Sequence, residues 1–299
     1  MSGSPLRDRS TGFALLTILL WASLAALTSR VTSVSPLVLV GLVLFFCGAG
    51  ALPFWRQWRA SPKTWLVTIT ALLCYHLLLF MSFRHAPVLE ANLINYLWPL
   101  FIILFTPLLL PGHPLQGRHL LAGLLGLAGS VLVMVDGELQ LQSAHLPGYL
   151  LALGAAIIWG GYSVLSRRLP PAPAVVTAAA CLPAGLLALL LARGLEGPLP
   201  LATIPSGDWG LIMGLALGPM GAAFVTWYLA LRDGDPRRIG ALAYLTPLLS
   251  TLLLVWLNGE TLTLRHVLAG SLILGGALLG LKAGSAKLKP SVPKAAANG

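Results

Sequence analysis

Residues 95–100 read NYLWPL and residues 243–248 read AYLTPL, each inside a long apolar run. A tyrosine and a proline three residues apart, placed twice where leucine alone would serve, mark a repeated device. The repeat extends outward from both. RHLLAG at 118–123 returns as RHVLAG at 265–270, and Arg84 returns as Arg232, always at an offset of 147 or 148 residues. At the front of each half, LLWASLAALTSR (19–30) resembles IIWGGYSVLSRR (157–168) at an offset of 138, the difference being absorbed in loops.

The 299 residues are 57% hydrophobic and 9% charged, against about 25% charged in an average soluble domain. Apolar runs fall at about 12–29, 35–55, 64–83, 91–110, 120–135, 146–166, 172–192, 209–231, 239–257 and 266–281. Since roughly 20 apolar residues cross a bilayer as a helix, these runs predict an all-α membrane protein with ten transmembrane helices. Arg7 and Arg9 before the first run resemble a signal-peptide start, but the echo of that run in the sixth predicts that it is retained.

The net charge of +10 raises nucleic acid as a partner, and the placement of the charges answers it. With a cytoplasmic N-terminus, only Arg30, Arg84, Arg193 and Arg265 face outward, while the other fifteen of the nineteen Lys and Arg residues, Arg237 among them, fall in inner loops and tails. That asymmetry follows the positive-inside rule and predicts that both termini are cytoplasmic. No nucleic-acid role is expected. Cys47, Cys74 and Cys181 are scattered within spans and predict neither a disulfide framework nor a metal site.

Two copies of five spans enter the membrane from opposite sides, because five is odd. The expected organisation is a cytoplasmic N-terminal tail at 1–11, a first five-helix repeat at 12–136, an inverted second repeat at 145–282, and a disordered cytoplasmic tail at 283–299 facing anionic inner-leaflet lipid. Inverted repeats characterise secondary transporters, whose substrate sites lie near mid-bilayer where the repeats meet.

This architecture, with YLALR at 228–232 and YLTPLLSTLLLVWLNGETLTLRHVLAGSLILGGALL at 244–279, resembles the EamA-type repeat of the drug/metabolite transporter superfamily. NYLWP with Tyr75 and His76 resembles, more narrowly, the bacterial YddG-type exporters of aromatic amino acids and of dications such as paraquat. The resemblance implies an inner-membrane exporter. Gly259 and Glu260 fit the Gly-Glu of that pattern, whereas the first half has Gly112 and His113, so any role for the acid exists in one repeat only.

Asn92, Asn95, Tyr96 and Pro99 stand at i, i+3, i+4 and i+7, one face of a continuous helix, with Trp98 at its edge. Unsatisfied amides in hydrocarbon cost several kcal/mol, so that face must look into protein or a wet cavity. Asparagine pairing between packed helices is the alternative. Pro99 and Pro247 predict matched kinks, and Gly218 with Pro219 predicts a loosened eighth span. His76 is the titratable group nearest mid-span, either functional or a neutral bridge between helices. Trp21 and Trp159 lie too deep for an interfacial belt. Trp227 and Tyr228 read as either anchors or an inner gate.

The expected cavity is walled by spans 1, 3, 4, 6, 8 and 9 and lined by Trp21, Tyr75, His76, Tyr96, Trp98, Trp159, Tyr162 and Tyr244, with Asn92 and Asn95 as hydrogen-bonding groups. Its expected substrates are neutral amino acids with aromatic or bulky apolar side chains, moved outward by alternating access, as a uniporter or with weak proton coupling. Cation or drug efflux is the rival, and a passive pore or scaffold is the reading from another class. No carboxylate pair, HExxH, GxSxG, Walker A or CxxC motif is present, so neither enzymatic activity nor a cofactor is expected. Gly123, Gly126, Gly129, Gly276 and Gly280 predict close helix packing, within a monomer or in a homodimer.

Overall fold

The computed structural model describes residues 5–135, 141–259 and 261–283, and its described residues form helices and no strand. Asp136, Glu138, Glu260, the tail beyond Ala283 and its lysines lie outside the described residues. Among the described residues, nine helices are long and apolar enough to cross a membrane by length and composition, from Arg9–Thr28 to Leu264–Lys282. The second predicted span differs. It forms a helix of only 15 residues, Pro36–Gly50, about 22 Å long. Pro53, which has no N–H to donate, follows in the 3-10 turn Leu52–Gln57.

Several spans are interrupted. The first consists of α1 (Pro5–Ala22) and α2 (Leu24–Thr28), then come α3 (Pro36–Gly50) and α4 (Pro62–His85). The fourth divides into α5 (Val88–Asn95) and α6 (Trp98–Leu109), and the fifth is α7 (Gly117–Met134). In the second half α8 (Leu146–Leu165) is followed by α9 (Val175–Ala179) and α10 (Cys181–Glu196). The eighth span is α11 (Ser206–Leu215), a π-helical turn Ala216–Ala222 and α12 (Ala223–Asp233). The ninth is α13 (Pro236–Ala243) and α14 (Leu245–Asn258), and the chain ends with α15 (Leu264–Lys282).

Three of the breaks share one cause. The turns at Tyr96, Ala180 and Tyr244 each stand three residues before a proline, at Pro99, Pro183 and Pro247. Proline denies the carbonyl four residues back its donor and crowds it, so the helix yields just ahead of the ring. The single continuous face expected for Asn92, Asn95, Tyr96 and Pro99 is therefore corrected. Asn92, Asn95 and Tyr96 precede or occupy the break, and Pro99 follows it with its carbonyl packed near Gly240. Pro219 sits inside the π turn, beside Gly218 and Gly221.

Equivalent helices of the two halves pack against each other. A methyl added at Gly276 would lie 2.7 Å from the Ala122 carbonyl oxygen, and one at Gly129 would lie 2.8 Å from that of Ala269. As α7 advances α15 recedes, so the pair is antiparallel, and α3 with α10 is antiparallel by the same test through Gly41–Leu189 and Gly48–Leu182. Gly123, Gly126, Gly129, Gly276 and Gly280 thus serve contacts within the chain. Leu66, Leu108, Trp256 and Leu264 are each more than two-thirds exposed, as an apolar solvent outside the bundle requires.

Candidate functional site

A cavity of about 400 Å³ opens among spans 1, 2, 3, 4, 6, 8 and 9. Its mouth is set by Ser29 and Val88, both exposed, with Thr28 and Phe83 just inside. Depth is read along the helices: from Ser29 down to Trp21, from Phe83 down to Tyr75, and from Val88 through Asn92, Asn95 and Tyr96 to Trp98. Of the ten residues expected to bind, eight line this cavity: Trp21, Tyr75, His76, Asn92, Asn95, Tyr96, Trp98 and Trp159. Val40 and Val43 bring in the second span, which the sequence reading left out of the wall.

The floor is a tryptophan cluster. Trp21 lies 5.7 Å from Trp98, 6.0 Å from Trp159 and 5.1 Å from Trp227 between ring centroids, and Trp98 lies 5.6 Å from Trp227. Most of these pairs are edge-to-face, the arrangement ring quadrupoles favour. Trp227 is buried behind the lining and donates its Nε1–H to the Ser163 hydroxyl at 3.1 Å, so it belongs to the floor and not to a surface belt. Tyr75 tilts against Trp159 at 5.1 Å and sits 4.9 Å from the His76 ring. His76 Nδ1 lies 2.7 Å from the Leu72 carbonyl. A carbonyl only accepts, so Nδ1 carries a proton and donates it to Leu72.

Beyond the floor, hydrogen bonds tie the helices together. Tyr162 donates to Thr68 Oγ1 at 3.4 Å and lines a crevice of about 10 Å³, room for about one water. Tyr228 donates to the Ala172 carbonyl at 3.0 Å, Arg167 to that of Gly234 at 2.6 Å, and Thr17 bonds Thr226 at 2.7 Å. Arg237 is buried and pairs with Asp235 at 2.6 Å while donating to the Pro114 carbonyl. The sequence reading left Arg237 in a loop. Pro236 instead starts α13 there, and the Asp235 side chain caps it by accepting from the Arg237 N–H at 3.0 Å. Burial by itself would push the Asp235 carboxyl up, but the hydrogen bonds and charge of Arg237 hold it below the usual carboxylate range.

Tyr162 and Tyr244 are not in the cavity lining. Tyr162 belongs to the crevice, and Tyr244 is fully buried against α7, where a methyl on Gly126 would stand 2.6 Å from its Cγ. The sequence reading passed over Phe224, Thr246 and Ser250, which do line the cavity. Thr246 was detectable, since it stands inside the repeated Tyr-x-x-Pro stretch. Phe224 had no such signal.

Comparison with known proteins agrees with this geometry. The EamA-like transporter family matches residues 10–135 and again 146–281. A curated relative from Ancylobacter novellus, called aromatic amino acid exporter YddG, is 36% identical over 91% of this chain and 96% of its own length. The protein of that name from Escherichia coli (strain K12) is 25% identical over 91% of this chain and 97% of its own. A solved crystal structure superimposes with a TM-score of 0.84 at 36% identity, covering 91% of this chain and 96% of that chain. With that family's repeat matched twice along the helical bundle that holds this cavity, the chain belongs to the EamA-like transporter family and is a membrane transporter, not an enzyme.

Proposed function

We propose that the protein exports neutral amino acids with aromatic or bulky apolar side chains across a bacterial inner membrane by alternating access. The observation that carries this reading is the cavity lining: rings, asparagine amides and hydroxyls, with no Asp, Glu, Lys or Arg among them. Ring walls hold a flat or apolar side chain by area burial and edge-to-face contact, and about 400 Å³ lies within the range of small-molecule sites. The name of the Ancylobacter novellus relative supports the same substrate class. Efflux of organic cations would profit from ring faces, but a dication in a closed cavity wants a carboxylate, and the lining offers none.

The antiparallel packing of α7 with α15 and of α3 with α10 supports two oppositely inserted halves. In this reading Pro36–Gly50 is a tenth, short crossing sheltered against α10, and both termini are cytoplasmic by the distribution of Lys and Arg. The mouth at Ser29 and Val88 then faces outward and the hydrogen-bonded end beyond the floor faces the cytoplasm. With no Asp or Glu in the cavity lining to trade a proton, a uniporter fits better than a tightly proton-coupled carrier.

Purified protein in proteoliposomes tests this. Saturable uptake of radiolabelled L-phenylalanine with counterflow is expected, and its absence for every neutral amino acid overturns the reading. Flux that never saturates identifies a pore. Trp98→Ala and Trp159→Ala that leave all fluxes unchanged identify a scaffold.

A further inference from the structure

Two polar side chains of the cavity stand apart. Asn95 and Thr246 are 5% and 6% exposed, both line the cavity, and Asn95 Oδ1 and Thr246 Oγ1 have no protein hydrogen-bond partner. Buried polar atoms in folded proteins are bonded in about nine cases of ten or more. Two orphans in one apolar hollow therefore point to a ligand that carries both a donor and an acceptor.

Their surroundings differ in sign. Asn95 ends α5, where the helix dipole is negative. Pro99, lacking an N–H, denies the Asn95 main-chain carbonyl its helical donor. Asn95 thus offers its side-chain oxygen as an acceptor, its amide nitrogen being directed toward the Tyr75 hydroxyl at 3.5 Å. Thr246 occupies the first turn of the 14-residue α14, where the dipole is positive, and Ser250, one turn further along, lines the same wall. Thr246 thus offers a hydroxyl donor in a field that favours an anion.

We propose that Asn95 and Thr246 are the specificity residues for the charged ends of the substrate: Asn95 takes the ammonium group and Thr246 takes the carboxylate. This rests on the amino acid reading above and deepens it. Asn95 stands on the C-terminal, negative side of its break and Thr246 on the N-terminal, positive side of its own, a zwitterion matches both, and the ring floor is left for the side chain. A dication finds a partner at Asn95 and a mismatch at Thr246.

The test is binding to the purified full chain, read by tryptophan fluorescence, with three probes. L-Phenylalanine carries both charged ends, L-phenylalaninamide only the ammonium, and 3-phenylpropanoate only the carboxylate. Wild type is expected to bind phenylalanine at least tenfold more tightly than either partial probe. Thr246→Val is expected to weaken phenylalanine and phenylpropanoate at least fivefold and leave phenylalaninamide within twofold. Asn95→Leu is expected to weaken phenylalanine and phenylalaninamide and leave phenylpropanoate within twofold. Thr246→Ser, which keeps the hydroxyl, is expected to restore wild-type affinities, and an unshifted size-exclusion profile certifies the fold of each variant. If wild type binds phenylalanine but Thr246→Val and Asn95→Leu weaken all three probes alike, or none, the assignment of Asn95 and Thr246 is overturned and the amino acid reading stands. If wild type binds none of the probes, or binds paraquat in their place, the reading and the assignment fail together.

Discussion

The two Tyr-x-x-Pro breaks are built alike and held differently. In both, proline three residues on ends a helix of eight residues, α5 in the first half and α13 in the second. The start of α13 is clamped: Asp235 caps it and pairs with buried Arg237, which also donates to the Pro114 carbonyl. The start of α5 has only Pro87 ahead of it, with no side-chain cap, and Val88 is 58% exposed at the mouth of the cavity. Tyr96 accordingly looks into the cavity, while Tyr244 is locked in the wall. A duplicated backbone device can be free in one copy and bolted in the other. Under the inverted organisation proposed above, that is the difference expected between an open gate and a closed one.

The largest expected effect tests the clamp. Asp235→Asn leaves the guanidinium of Arg237 buried without its anion, which costs about 3–5 kcal/mol. Glu196→Gln at the opposite end removes a pair with Arg84, whose side chain is 52% exposed, and such a surface pair contributes about 0–1 kcal/mol. Chemical denaturation of the purified variants in detergent measures both. Equal losses would erase the asymmetry.

Next in size is the wall behind Tyr244. Gly126→Ala sets a methyl against the Tyr244 ring, and overpacking of this kind costs about 1–3 kcal/mol. Combining it with Tyr244→Leu is expected to recover part of that loss. Tyr96→Phe removes a cavity hydroxyl and is expected to change stability by less than about 0.5 kcal/mol while altering transport. A stability loss for Tyr96→Phe as large as for Gly126→Ala would show the two tyrosines to be equivalent.

The prolines sharpen the contrast through rate. An alanine at 99 or 247 restores an N–H, closes the helical bond to Asn95 or Ala243, and lets the helix run straight. Counterflow is expected to slow about tenfold in Pro99→Ala, a change of about 1.4 kcal/mol in barrier. The slowing is expected to be smaller in Pro247→Ala, because α13 is held in place by Asp235 and Arg237 whatever happens at its end. The reverse order would place the moving gate in the second half.

What the sequence made legible is the backbone device, and what it hid is the environment of each copy. Spans, breaks and the aromatic floor follow from hydropathy, proline chemistry and the depth of Trp21 and Trp159, all of them local properties. Tyr244 was expected in the cavity because its repeat partner Tyr96 belongs there. Its true neighbour is Gly126, whose missing side chain makes room for the ring, and no spacing rule links positions 126 and 244. Pro36–Gly50 was expected to be full length because apolar composition runs on past Gly50, while Pro53 stops the helix. Arg237 was read as a loop cation because charge was counted without its partner Asp235. Thr246 was passed over because hydroxyls are common in membrane helices, and only its burial without a partner sets it apart.

The smallest expected effect concerns acid. The Asp235 carboxyl is held below its ordinary range by Arg237, against the opposing push of burial. A depressed carboxylate contributes stability that is fully present above its unfolded pKa of about 3.9 and is lost as pH falls through the lower folded value. Wild type is therefore expected to keep a level melting temperature from neutrality down to about pH 4 from this group and to lose stability below it. Asp235→Asn, having nothing to protonate there, starts lower and falls less steeply across the same acid window. The shift is the net of two opposing causes and is approached only at the acid edge of the window, so the comparison needs parallel melts at constant ionic strength. Equal acid slopes in wild type and variant would mean that the carboxylate of Asp235 does not hold α13, and the clamp would have to be sought in the Arg237–Pro114 contact instead.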